Sequence, residues 1–450
     1  MILSPLAVMS VSSLLSFAIK LTLDRNVQCT VNPAMSKTHE TVYDFSVALS
    51  EHLLPKTSAY HEIWLDKKKV AGGEIADLEP LYGPTYLPRK FKMAVAVPPD
   101  NGVDVFTNDV GWIAIVENDK VVGYNVAVGG GMGVTHSNKK TYPRLADVLG
   151  FVLPEDALKT AESIMLTQRD NGNRADRKNA RLKYTVDAMT VAGFKADVER
   201  RMGKPFQPAR PFEFTHNTDT YGWQQGHDGQ WHFTMFIENG RVEDSPRNQF
   251  KSGLKEIASV HKGEFRLTAN QHLILSNVSP EDKPEMERLL AKWGLDNVSH
   301  TGLRLSSSAC VAFPTCGLAM AESERYLPLL VDKVEKIMED EGLRSDSIVM
   351  RMTGCPNGCA RPWNAEIAFV GKAPGSYLMM LGGGHKGERL SKPYNAQVTE
   401  PEILAILKPM IKRWATERSD GEPFGDWVIR AGIIKETTHG TNFWEGTDAS

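Results

Sequence analysis

Thr353-Gly354-Cys355-Pro356-Asn357-Gly358-Cys359 is the stretch from which the rest of the chain is read, together with the earlier pair Cys310 and Cys316. Four of the five cysteines in 450 residues fall into a C-x5-C and a C-x3-C pair, with residues 317–354 between them. Cysteine thiolates are the usual iron-sulfur ligands, and two paired loops brought together supply a full set of four sulfurs. Disulfide frameworks belong to short, cysteine-dense secreted chains, and this chain is long and cysteine-poor. Zinc pairs are typically spaced by about two to four residues, so x5 fits poorly and x3 is allowed. A cluster is the first reading, with zinc and disulfides as the alternatives. Cys29 stands alone and reads as a buried free thiol.

Working outward, residues 321–340 carry Tyr326, Leu330, Val334 and Met338 at helical spacing and read as an amphipathic helix between the two pairs. Just beyond Cys359, Glu366 to Gly371 reads as a strand that turns at Lys372 to Gly375, returns from Tyr377 and ends in Gly382-Gly383-Gly384. The same signature occurs far upstream. Gly111 to Val116 turns at Glu117 to Lys120 and returns through Tyr124 to Gly129-Gly130-Gly131. A hairpin plus triglycine that recurs in register is best read as an internal duplication. Consecutive glycines let backbone approach a ligand closely and offer N–H groups to anions, although a simple turn is the plainer use.

Between the two hairpins, Glu199 to Pro211 reads as a linker. Residues 222–294 then alternate strands (Trp231 to Ile237, Phe265 to Leu267, His272 to Ser276) with helices near Gly253 to His261 and from Ser279 to Gly294. Earlier, residues 40–54 read as a helix stopped by Pro55, and a further helix runs from Pro154 to about Arg169. Thr399 to Glu402 is a capping box. Length suggests about three domains.

A net charge of -3 gives no global preference for nucleic acid or an acidic membrane, so an anion site must be built locally. Tyr86 to Val97 opens with a basic cluster, and strand alternation puts Lys90 and Lys92 on one face with Phe91 on the other. A solvated edge would explain the two lysines; an oxyanion held between them would offset their mutual repulsion. Residues 169–184 are the most basic stretch, yet they lack the aromatic interleaving of a nucleic-acid surface. Met1 to Lys20 is apolar but lacks the basic start of a signal peptide and is short for a membrane span.

At Cys310-Val-Ala-Phe-Pro-Thr-Cys316 and Thr353-Gly-Cys355-Pro-Asn-Gly-Cys359-Ala-Arg361 the sequence resembles the siroheme-containing sulfite and nitrite reductases, and within them the hemoprotein (beta) subunits of assimilatory sulfite reductases. The resemblance runs from about Asp24 to the C-terminus. It implies an α+β fold, a duplicated sulfite/nitrite reductase repeat with a ferredoxin-like half-domain between the repeats. The domains expected are 1–23, an apolar segment outside the family; 24–204, a first siroheme domain without cluster cysteines; 205–300, the half-domain; and 301–450, a second siroheme and 4Fe-4S domain. The family's further N-terminal region is absent before Asp24, so the chain is expected to be N-terminally truncated.

The resemblance also implies cofactors and roles. Cys310, Cys316, Cys355 and Cys359 would bind a 4Fe-4S cluster, and Cys359 would also ligate the siroheme iron. Arg181, Gln271 and Asn357 would contact siroheme, while Arg25, Lys90 and Lys92 would line the sulfite site. Ser306 replaces an Asn common in relatives ahead of Cys310. The implied reaction is six-electron reduction of sulfite to sulfide, with siroheme nitrite reduction, or an inactive truncated chain that binds only the cluster, as alternatives. No dinucleotide fingerprint lies at a strand-to-helix turn. Electrons are therefore expected from a flavoprotein reductase subunit (FAD/FMN, NADPH) or from ferredoxin. A cytoplasmic protein without nucleic-acid or membrane partners is expected.

Overall fold

The computed structural model describes residues 26–30, 32–56, 63–65, 68–71 and 79–445. The expectations for segment 1–23 and for Arg25 lie outside the described residues.

Two five-stranded sheets are built alike. The first orders β1 (Asn26–Cys29), β4 (Lys92–Ala96), β5 (Val110–Glu117), β6 (Lys120–Val128) and β7 (Asp147–Val152); β2 (Ile63–Leu65) and β3 (Lys68–Ala71) pair separately. The second sheet orders β12 (Ser307–Ala309), β13 (Met350–Thr353), β14 (Ile367–Ala373), β15 (Ser376–Leu381) and β16 (Lys392–Val398). In both, two parallel pairings are followed by two antiparallel ones. The registers also agree. Met93 faces Val110 as Met350 faces Ile367, and Ala114 faces Tyr124 as Gly371 faces Tyr377. The duplication read from the hairpins is therefore a property of the whole sheet.

The first hairpin turns on Asn118 (φ 51°) and Asp119 (φ 59°). Two consecutive left-handed residues, a role Asn and Asp tolerate, match the twist of the flanking strands.

Each sheet buries one face under helices. On the first, α1 (Lys37–His52), α2 (Pro154–Asn171), α3 (Leu182–Met189) and α4 (Val191–Met202) set Val42, Ile164, Val186 and Phe194 against Met93 and Trp112. The opposite face carries small residues, Ala94, Ala96 and Ala127. Met132 and Val134, just after the first triglycine, pack with Val349, Trp363 and Val370 of the second half, which joins the halves.

Between them, β8 (Gly222–Gln225), β9 (Trp231–Met235), β10 (Glu264–Leu267) and β11 (Leu273–Val278) form an antiparallel sheet ordered β10-β11-β9-β8. It carries α5 (Phe250–Val260) and α6 (Lys283–Lys292), and Phe233, Met235, Ile257 and Leu289 lie in its core. Among the described residues, no helix is long and apolar enough to cross a membrane.

Some expected boundaries move. Helix α1 begins at Lys37, three residues before the expected start, because Ser36 Oγ accepts from His39 N and supplies the cap. Ser279 and Pro280 form a turn ahead of α6, whose first turn instead contains Pro284. After the one-turn α7 (Gly302–Leu305), the helix expected over 321–340 exists only as α8 (Leu327–Asp340). Residues 320–324 are held by other bonds: Met320 N and Ala321 N donate to Gly354 O at 2.7 and 3.2 Å, and Glu324 N donates to Cys310 O at 3.1 Å. Pro328, which has no N–H, sits in the first turn of α8, where none is needed. The last sheet is covered by α9 (Glu400–Glu417), opened by the Thr399–Glu402 capping box, and by α10 (Phe424–Arg430).

A candidate cofactor site between the two repeats

The parallel strands β12 and β13 end side by side, and their last residues hand the chain to the two cysteine loops. Cys310 N donates to Met352 O at 3.1 Å, which continues the ladder by one step. Gly354 N and Thr353 Oγ1 then approach Cys310 Sγ at 3.2 and 3.4 Å. On Gly354 a Cβ would lie 2.6 Å from Ala312 Cβ, so only glycine lets the two loops close. Gly358 has φ +67° and packs against Trp363. The topology thus converges both pairs at one sheet end.

The sulfurs sense one another. Burial raises the Cys355 thiol, with repulsion from Cys310 and Cys316 adding to it. Cys359 is exposed, yet surrounding protein desolvates its sulfur, and repulsion from Cys310 and Cys355 helps push its thiol up to about 12. Metal ligation would drive off these protons. Among the described residues, no three His, Cys, Asp or Glu side chains could hold one metal ion between them. Tetrahedral zinc would draw its sulfurs to about 3.8 Å of one another, given Zn–S bonds near 2.3 Å. Four cysteine sulfurs on two loops that meet at one sheet end are the number and kind of donors that a four-iron cluster takes.

The first repeat supplies the facing wall. Val134 N donates to Pro356 O at 3.1 Å, tying the end of the first triglycine loop to the turn that holds Asn357. Lys183, fully buried, donates its Nζ to Gly131 O (3.1 Å), Gly133 O (2.9 Å) and Tyr142 O. That ammonium pins the loop by its carbonyls, and burial drives its pKa well down. A Cβ on Gly131 would stand 3.2 Å from Lys183 Cδ, so the bare glycine leaves that side chain its place.

Lys90 and Lys92 both lie on this wall, half-buried on either side of the buried Phe91 as alternation predicted, although the strand itself begins only at Lys92. Burial depresses both ammonium pKa values, and Arg181 depresses them further; Lys92 also feels Lys90, and both feel Cys359 in the opposite sense. The two lysines and Arg181 thus share one electrostatic neighbourhood with the last cysteine.

Gln271 (φ 75°) follows Asn270, whose Oδ1 accepts from Arg361 Nη2 at 2.5 Å. Arg361 lies two residues beyond Cys359, so the middle sheet reaches the cysteine loop through this contact.

Several organising residues escaped the sequence reading. Asp104 is fully buried and left-handed (φ 46°); its carboxylate accepts from Arg351 (2.7 Å), Asn217 (3.0 Å) and Asn364 (3.2 Å), and is ion-paired with Arg361 at 3.2 Å. Arg361 (φ 54°) caps a short 3-10 turn before β14, as Asp104 does before β5. Equivalent positions of the repeat therefore meet as an ion pair. Aligning the two repeats would have exposed it: Asp104 stands five residues before Asp109, as Arg361 stands before Glu366.

Comparison with known proteins agrees. The family model described as nitrite and sulphite reductase 4Fe-4S domain matches residues 46–206, and that described as nitrite/sulfite reductase ferredoxin-like half domain matches residues 224–293. The sulfite reductase [NADPH] hemoprotein beta-component of Geobacillus thermodenitrificans is 57% identical over 424 residues, 94% of this chain and 74% of that one. Its counterpart in Bacillus subtilis is 55% identical over 422 residues, with the same shares covered. The sulfite reductase [NADPH] subunit beta of Schizosaccharomyces pombe is 56% identical over 92% of this chain and 29% of its own length. The solved structure of the Mycobacterium tuberculosis NirA protein shares the fold, with a TM-score of 0.69 at 23% identity over 91% of this chain and 71% of that one.

Proposed function

This chain belongs to the nitrite and sulfite reductase family, and from that premise we propose that it reduces sulfite to hydrogen sulfide with siroheme and a 4Fe-4S cluster as its cofactors. The observation that carries the reading is the meeting of the two cysteine loops of one repeat with the Lys90, Lys92 and Arg181 wall of the other. Cys310, Cys316, Cys355 and Cys359 would hold the cluster, and Cys359 would be shared with the siroheme iron. Arg181, Gln271 and Asn357 would hold the tetrapyrrole. When bound, the two cofactors supply the electron chemistry, six electrons taking sulfur from +4 to -2.

The chain's own part is electrostatic. Lys90 and Lys92, with Arg25 as a third cation, neutralise the oxyanion and polarise its S–O bonds. Burial lowers both lysines from their ordinary pKa, which makes each ammonium a readier proton donor to a leaving oxygen. A bound dianion offsets their mutual repulsion. Electrons come from a flavoprotein partner that uses NADPH, in a cytoplasmic setting. The division 24–204, 205–300 and 301–450 matches this sharing of roles, with the cluster in the last part and the anion wall in the first.

An absorption spectrum of the purified protein, followed by turnover with a chemical reductant, tests the reading. A siroheme Soret band, a reducible cluster and sulfite consumption faster than nitrite consumption are expected. Cluster absorption without a Soret band would overturn the proposal, and preference for nitrite would overturn the choice of substrate.

A further inference from the structure

We propose that Asp109 is a positioning residue of the anion wall, orienting Arg181 and setting the charge that Lys92 experiences. This rests on the proposed sulfite site and deepens it.

Asp109 is fully buried at the start of β5. Its Oδ2 accepts from Lys92 N at 2.9 Å and from Arg181 Nη2 at 3.1 Å, so one oxygen grips two of the wall's residues. Its Oδ1 and Arg181 Nε are both buried without a protein partner, which leaves a donor and an acceptor for a polar ligand bordering this pair. The groups facing Lys92 are Arg181, Lys90, Cys359 and Asp109. Asp109 is the acid that offsets the neighbouring cations there.

The second repeat shows that this is more than a backbone clamp. Glu366 stands where Asp109 stands and accepts from Val349 N at 2.7 Å, the amide equivalent to Lys92 N. It also accepts from Gly425 N at 2.8 Å and meets His385 Nδ1 at 2.9 Å, so both its oxygens are used within its own half. Asp109 keeps the amide contact but spends its second bond on a cation of the wall. The shared contact is structural; the divergent one serves the anion pocket.

The test is sulfite affinity of the holoprotein by calorimetric titration across alkaline pH, with the Soret band recorded on each sample. Binding weakens as Lys92 loses its proton. Asp109→Asn removes the negative charge and should move that limb down by about one pH unit. Arg181→Gln removes a cation, so it should move the limb up by a similar amount, and Asp109→Glu should restore the parent profile. Arg181 has a side chain 19% exposed, so that arm carries the test where Asp109→Asn is recovered only as aggregate. Limbs that superimpose on the parent's in a Soret-bearing protein overturn the inference and leave the functional reading standing. Opposite shifts in a protein without a Soret band support it and overturn the siroheme assignment. A parent that binds no sulfite overturns both.

Discussion

Replacing Asp104 with asparagine should unlock the two repeats from each other. The change is nearly isosteric, so its effect is electrostatic. Arg351 and Arg361 have side chains 2% and 17% exposed, and both direct guanidinium nitrogens at the buried Asp104 Oδ2. Without that charge the two guanidiniums repel across a desolvated gap, and Arg361, whose pKa burial already lowers to about 10, keeps only the lesser pull of Asp219. Removing one partner of a buried ion pair costs about 3–5 kcal/mol. At about 2–4 °C per kcal/mol for a unit of 150–250 residues, melting should fall by about 10 °C. Thermal unfolding followed by circular dichroism measures this, with iron content determined alongside because Arg361 lies two residues from Cys359. Arg361→Met should cost less, since Asp104 then keeps Arg351 at 2.7 Å. A fall of under about 2 °C for Asp104→Asn, or a larger fall for Arg361→Met, would refute the reasoning.

Other perturbations give outcomes of different kinds. Serine at any one of Cys310, Cys316, Cys355 or Cys359 should lower bound iron in the purified protein, measured by metal analysis, whereas Cys29→Ser should leave it unchanged. Burial alone would lower the His385 pKa, but Glu366, by its charge and hydrogen bond, holds it above the ordinary value. Its contribution to stability is therefore full below about 6.5 and fades as pH rises through the raised value, so His385→Gln should lose more denaturant stability at pH 6 than at pH 9. Lys183→Met would leave the three carbonyls of Gly131, Gly133 and Tyr142 without their shared donor. Hydrogen exchange in residues 129–134 should quicken, at a stability cost of about 2–4 kcal/mol.

Much of the site was legible in local pattern. Cysteine spacing pointed to a cluster because ligand geometry restricts how far apart paired sulfurs fall along a loop. The matched hairpins revealed the duplication because turn chemistry and strand alternation act over a few residues. Local reasoning failed where distant backbone intervened. Residues 321–326 have helical periodicity, yet Ala321 and Glu324 donate to Gly354 and Cys310 instead, since these bonds close the cysteine loops.

By itself, then, the sequence determined the two cysteine pairs and the repeated hairpins, each encoded within short windows by spacing and turn residues. Only the tertiary structure decided which residues of one repeat face which of the other. Asp104 against Arg361 and Val134 against Pro356 are contacts between residues far apart in the chain, one from each repeat. Such pairings depend on how two similar sheets pack across their junction, and a buried charge finds its partner only there, where water no longer competes for it.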